Sequence, residues 1–222
     1  MSEPNIVSPS MRLIVPYAQC TAEGARQAWA ALDLPHLYQL SQLLRPGSRF
    51  ALDEDSPTLP HEWALAQSMG LPDGGSPAAE STPWAAWDAL QCLGSSSLAH
   101  AWAWITPCHW QIGMDQVFML DPAALNLTDE ESRALLQAML PWLQEDGLQV
   151  RWHDALHWHA CGELLGGWAA PSLDRVIGAN VRPWITSGLP GALVRLQSEM
   201  QMLAYNHPVN DARLARGLLP VN

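Results

Sequence analysis

The segment from about residue 98 to 165 constrains the fold of this chain more than any other. At its centre Thr128 is followed three residues later by Glu131, the spacing of a capping box, in which each side chain accepts a hydrogen bond from the other residue's backbone N–H. Leu135, Leu136, Met139, Leu140 and Leu143 then recur at helical spacing until Gly147, which predicts a helix with one apolar stripe. On either side the period drops to two. His100–Ile105 and Gln116–Leu120 read as strands before the helix, and Leu148–Trp152 and Ala155–Ala160 read as a pair joined at His153-Asp154 after it. Two strands, a helix and two more strands make an α+β unit.

The flanking regions are read more coarsely. Met11–Pro16 is expected to be a first strand and Thr21–Leu32 a helix capped by Thr21. Leu34–Leu44 carries apolar residues at 34, 37, 40, 43 and 44 and is closed by Pro46-Gly47. A polar connector covers residues 50 to 60, a short helix follows to Met69, and Leu71–Pro77 is a loop. After a stretch rich in Pro and Gly, Ala192–Tyr205 forms a helix with the stripe Leu193, Leu196, Met200 and Leu203, ended by Asn206-His207-Pro208. A strand leading into helices is the usual opening of an α/β domain.

Composition excludes several functions. The chain has 22 acidic and 11 basic residues, a net charge of −11, and every basic residue is Arg. Such a surface does not neutralise a phosphate backbone, so no nucleic-acid partner is expected. Without Lys there is neither a Schiff-base lysine nor a P-loop lysine. No apolar run is long enough to span a bilayer, and the first ten residues lack the basic and apolar regions of a secretory leader, so a cytoplasmic protein without a membrane partner is expected. Cys20, Cys92, Cys108 and Cys161 form no Cys-x-x-Cys pair, which argues against a disulfide framework or a zinc ribbon. Twelve Trp beside two Phe and three Tyr is an unusual choice of aromatic. Core and interface filling explains it, with a stacking platform of Trp102, Trp104 and Trp110 for a base or sugar as the sharper alternative.

His157, His159 and Cys161 alternate, so an extended strand points all three to one face, and all are zinc-ligand types. Neighbours on one strand do not converge on a tetrahedral ion, so no metal and no cofactor is expected, with these three as the candidate ligands. Cys108 with His109, or Cys161 with a facing His, are the candidate nucleophile pairs. No nucleophile elbow, Walker sequence or dinucleotide fingerprint is present.

The closing segment, from His207-Pro-Val-Asn to Leu-Pro-Val-Asn222, resembles that of the archaeal-type, cofactor-independent phosphoglycerate mutases of the alkaline phosphatase superfamily. The resemblance rests on His207, Pro208, Asn210, Arg213, Gly217, Pro220 and Asn222 at fixed spacing. Weaker similarities follow the family's order: Leu13-Ile-Val-Pro-Tyr, Asp33–Leu40, Leu59–Leu71, and the helix opened by Asp129-Glu130-Glu131. The resemblance implies an alkaline-phosphatase-like parallel sheet core, incomplete at the C-terminus, with an inserted α+β cap. Residues 1–97 would begin the core, 98–168 form the cap, and 169–222 return to the core.

Departures from the family pattern imply that the reaction has been lost. The family's first strand leads into a metal-binding Asp-Gly, where this chain has Pro16-Tyr17-Ala18, and the phospho-accepting Ser has only Ser56-Pro-Thr58 as its counterpart. The Asp-rich stretch after the cap is reduced to Ser172-Leu-Asp174-Arg175, and a two-metal phosphoryl clamp needs several carboxylates and imidazoles. A non-catalytic, ligand-binding or regulatory relative is therefore expected. In it His207, Asn210, Arg213 and Asn222 hold a small anionic ligand, or alternatively cap a helix and pin a loop. An active mutase or phosphatase with a rearranged site is the runner-up, and a protein-interaction module using exposed Trp the third reading. The segment that follows in the family is not present after Asn222, and the sheet edge this would expose implies a protein partner or a homodimer.

Overall fold

The computed structural model describes residues 12–16, 23–45, 47, 52–53, 56–71, 82–95, 100–167, 169–186 and 189–222. The described residues form a mixed α/β protein whose strands pair antiparallel. β1 (Trp102–Ile105), β5 (Trp158–Cys161) and β4 (Gln149–Trp152) make a three-stranded sheet in the order β1-β5-β4. β2 (Trp110–Ile112) and β3 (Val117–Met119) form a separate hairpin, with a single parallel bridge from Met119 to Ile177.

Helix α5 (Asp129–Glu145) begins where the sequence predicts. Thr128 Oγ1 accepts from the Glu131 N–H at 3.2 Å, and Glu131 accepts from the Thr128 N–H at 3.2 Å. Gly147, at φ +79°, carries the chain out of the helix towards β4, a conformation costly for any residue with a Cβ. Leu135, Leu136, Met139 and Leu143 are buried against the sheet residues whose side chains face α5. The register fixes which these are: Ile105 lies opposite Trp158, which lies opposite Trp152, so all three share a face, with Ala103, Ala160 and Val150 two residues away on the same side. Trp102, Trp104, Arg151, His159 and Cys161 occupy the other face, over which α4 (Trp84–Leu93) packs.

Ser132 explains two of the tryptophans. Fully buried on the first turn of α5, its hydroxyl accepts the indole N–H of Trp158 at 2.9 Å and of Trp152 at 3.3 Å. Arg133 lies over the Trp152 ring, 3.3 Å from its centroid, in a cation–π contact.

From residue 169 the chain runs through α6 (Leu173–Val176) and α7 (Arg182–Thr186) into α8 (Gly191–Tyr205), which packs on α5, and α9 (Pro208–Ala215). Arg195 on α8 pairs with Asp146 at the end of α5. Earlier in the chain, α1 (Glu23–Ala30), α2 (Pro35–Leu43) and α3 (Pro60–Ser68) match the predicted helices, although Met11 and Thr21 lie outside the described residues. The predicted first strand is not formed: residues 12–15 carry no ladder pairing, and Leu13 and Val15 are about half exposed. On α2, Leu34 and Leu43 of the stripe are exposed, and Leu40 and Leu44 are partly buried.

Candidate functional site

The closing segment is a clasp assembled from local helix-end chemistry. His207 caps α9, its Nδ1 accepting from the Val209 N–H at 3.2 Å, and Pro208 takes the first helical position, where its missing N–H costs nothing. At the other end Gly217 is left-handed, at φ +72°. The Gly217 N–H donates to Leu214 and the Leu218 N–H to Arg213, a Schellman turn that requires this glycine. Helix α8 ends at Tyr205, before Asn206-His207-Pro208 as the sequence predicts, and His207 and Pro208 also open a further helix that the sequence did not mark.

Asn210 and Arg213 project from α9 into the interior. The Asn210 Nδ2 donates to the carbonyls of Ala204 and Val221, each at 2.7 Å, and its Oδ1 accepts from the Val221 N–H at 2.8 Å. Arg213, fully buried, donates to the Leu219 carbonyl at 2.8 Å, to the Leu125 carbonyl at 2.5 Å and to Glu131 Oε2 at 2.5 Å. Glu131 also pairs with Arg216. Burial alone raises the Glu131 carboxyl, but the bonds from Arg216 and the Thr128 N–H and the charge of Arg213 outweigh it and hold its pKa below the ordinary value. The chain then returns to the hairpin. The Asn222 Oδ1 accepts from the Trp110 N–H at 2.5 Å, its Nδ2 donates to the Trp110 carbonyl, and its own N–H donates to Cys108. His109 donates to the Pro220 carbonyl at 2.9 Å. His207, Asn210, Arg213 and Asn222 thus all bond within the chain.

Beside the clasp lies a cavity of about 320 Å³ between α5, α8 and the sheet. Its walls include Ile105, Met139, Trp158, Leu196, Met200 and Asn222. Trp110 is a further wall, and its buried indole N–H has no hydrogen-bond partner of normal geometry among the described residues. Cys108 also faces this space. Burial pushes its thiol up to about 11, a weak interaction from Trp110 opposing, so it is protonated at neutral pH. With His109 held by Pro220, Cys108 and His109 do not form a nucleophile pair.

Compared with protein-family models, curated proteins and solved structures, the chain matches none.

On the opposite face of the sheet the alternation of His157, His159 and Cys161 holds, but their companions differ from the expected set. Asp154 accepts from the Leu156 and His157 N–H groups and pairs with His157 Nδ1 at 2.9 Å, closing the β4–β5 turn. The buried Cys161 thiol is raised by desolvation, opposed by the charge of Arg151. His159 is buried, and its Nε2 lies 2.6 Å from Asp88 Oδ2 on α4. His153, from the turn, brings its ring centroid to 4.9 Å from that of His159. Asp88 and His153 went unrecognised in the sequence. Trp84, Trp87 and Leu90 behind Pro83 were the available signal for α4, and His153 follows Arg151 at the strand period. Trp102 and Trp104 meet His159 and His157 edge-on, at 6.1 and 5.4 Å, while Trp110 belongs to the other sheet, so the three tryptophans do not form one platform.

Proposed function

We propose that this chain is a non-catalytic binding protein, related to the cofactor-independent phosphoglycerate mutases, whose closing signature serves as a structural clasp and whose ligand is a small, mostly apolar molecule carrying one acceptor oxygen. The observation that carries this reading is the cavity beside Trp110: apolar walls supply affinity by excluding water, and the buried Trp110 indole N–H, engaged by a weak interaction with the Cys108 thiol, is the donor that a ligand oxygen would take over. Largely pre-formed apolar pockets with few polar groups are the common form of small-molecule site. The internal bonding of Arg213 and Asn210 favours this ligand over a phosphorylated three-carbon acid, because recruiting either residue to an anion breaks buried hydrogen bonds. In this reading the described antiparallel sheet corresponds to the family's cap rather than to its parallel core.

The test is a thermal-shift and calorimetric series with medium-chain 2-alkanones and the matching phosphorylated acids. The ketones are expected to stabilise the protein and the acids to have no effect. Leu193→Trp, which fills the cavity from α8, should abolish the ketone effect. Trp110→Phe should weaken binding about five- to tenfold, the size of one hydrogen bond. Stabilisation by the acids alone, or a ketone effect indifferent to Leu193→Trp, overturns the assignment. Turnover in a manganese-supplemented mutase assay overturns the non-catalytic half.

A further inference from the structure

We propose that Asp88, His153 and His159 form a binding site for one divalent transition-metal ion, with zinc as its type ligand. The site lies across the sheet from the apolar cavity and does not depend on it. One ligand atom from each residue lies within 4.8 Å of the other two. They come from three separate pieces of structure: α4, the β4–β5 turn and the central strand β5. That convergence is what a single strand bearing His157, His159 and Cys161 does not provide.

Two imidazoles and one carboxylate are a donor set for zinc and for non-haem iron, with three protein ligands leaving further positions to water. Exposure is graded through the set. His159 is 3% exposed, Asp88 is partly buried, and His153 is exposed, which anchors the site at its base and leaves an entry route at its rim. Zinc bonds of about 2.0–2.2 Å place neighbouring ligand atoms about 3.3 Å apart. Asp88 Oδ2 and His159 Nε2, now 2.6 Å apart, therefore separate slightly as the hydrogen bond between them gives way to the ion. His153 moves inwards by rotation of an exposed side chain, the cheapest movement available.

The surroundings suit an ion of this kind. Trp102 stands edge-on to His159 and screens the base of the site from water. Asp154 lies 4.0 Å from His153 Nε2, a further carboxylate beside the rim. Cys92 on α4 has its sulfur 3.9 Å from Asp88 Oδ1. Arg151, across the strand pair from His159, is the opposing charge on this face; it is exposed, so solvent screens it, and the net charge of −11 favours cations overall. Bound metal would tie α4 to the sheet, joining two elements that are remote in sequence.

The experiment is calorimetric titration of the untagged, chelator-treated full chain with zinc alone, with circular dichroism to verify the fold of each variant. Wild type is expected to bind one ion per chain and to melt several degrees higher with zinc in excess. His153→Ala, whose side chain is exposed, should fold normally and bind at least tenfold more weakly, and Asp88→Asn should behave likewise. Cys92→Ser, His157→Ala and Cys161→Ser should bind within about threefold of wild type, the range of context effects. No zinc binding by wild type, unaltered binding by His153→Ala, or loss of the site in His157→Ala or Cys92→Ser overturns the proposal.

Discussion

Replacing Arg213 by Ala is expected to destabilise the protein by about 3–5 kcal/mol, the cost of breaking a buried ion pair from one side. The variant leaves the Leu125 and Leu219 carbonyls without their guanidinium donor, and removes from the partly buried Glu131 one of its two arginine partners, Arg216 remaining. For a chain of this size the melting temperature should fall by on the order of 10 °C. Arg213→Lys should recover only part of the loss, since an ammonium cannot reproduce three bonds laid out on a planar fork. Urea denaturation of the two variants beside wild type measures both effects. An Arg213→Ala variant within about 0.5 kcal/mol of wild type would show that the clasp is not holding the fold.

The same ion pair sets an acid limit. The folded-state pKa of Glu131 lies below its unfolded value, so the carboxylate's contribution to stability is complete above the unfolded pKa and is lost as pH falls through the folded one. Asp154 is shifted in the same direction. Burial raises it, but the Leu156 and His157 backbone N–H groups and the His157 ring prevail, so it acts over the same acid range. Stability measured from pH 7 down to pH 3 should fall below about pH 4.5, and Glu131→Gln should flatten part of that decline. An unchanged pH profile in Glu131→Gln would remove this carboxylate as the cause.

Trp158→Ala should cost a similar amount, about 3–5 kcal/mol, for a different reason. Trp158 is 2% exposed at the middle of the main core, where it touches the α5 stripe and the walls of the cavity. Truncation removes apolar contacts and leaves the buried Ser132 hydroxyl with only the longer bond from Trp152. Trp158→Phe separates the contributions: it keeps most of the area and loses the indole N–H, so a loss nearer 1–2 kcal/mol is expected. Because Trp158 is also a wall, Trp158→Ala should shift the ligand preference of the cavity towards longer ketones. Equal stability of the Ala and Phe variants would mean that the hydrogen bond to Ser132, and not packing, is what Trp158 contributes.

Residues 98 to 165 were legible because their signals are local. A capping box closes over three residues and an apolar stripe over one helical turn, so Thr128, Glu131 and Gly147 mark α5 without reference to the rest of the chain. Strand alternation likewise put His157, His159 and Cys161 on one face before their partners were known. Where a partner was required, the reading lost its hold. Residues 12–15 have strand-like composition but no neighbouring strand among the described residues, and an unpaired strand has no ladder to stabilise it. Helix α4 was missed because Trp84, Trp87 and Leu90 sit among small apolar residues that blur a helical stripe, and with it went Asp88.

The closing segment shows the same division. His, Asn and Arg at fixed spacing are the residue types of an anion site and equally those of a helix clasp, and spacing along the chain does not separate the two. What does is where the side chains end: Arg213 on a glutamate 82 residues away, Asn222 on a tryptophan 112 residues away, and His159 on an aspartate 71 residues away. The sequence by itself determined the helix ends, the strand parity and the acidic, lysine-free surface, all of which follow from interactions within a few residues or from composition. Only the tertiary structure decided that Arg213 and Asn210 are buried and internally bonded, that Trp110 walls a cavity, and that Asp88 and His153 meet His159. Each depends on closing a long loop, and that is settled by the packing of the whole chain rather than by any short stretch of it.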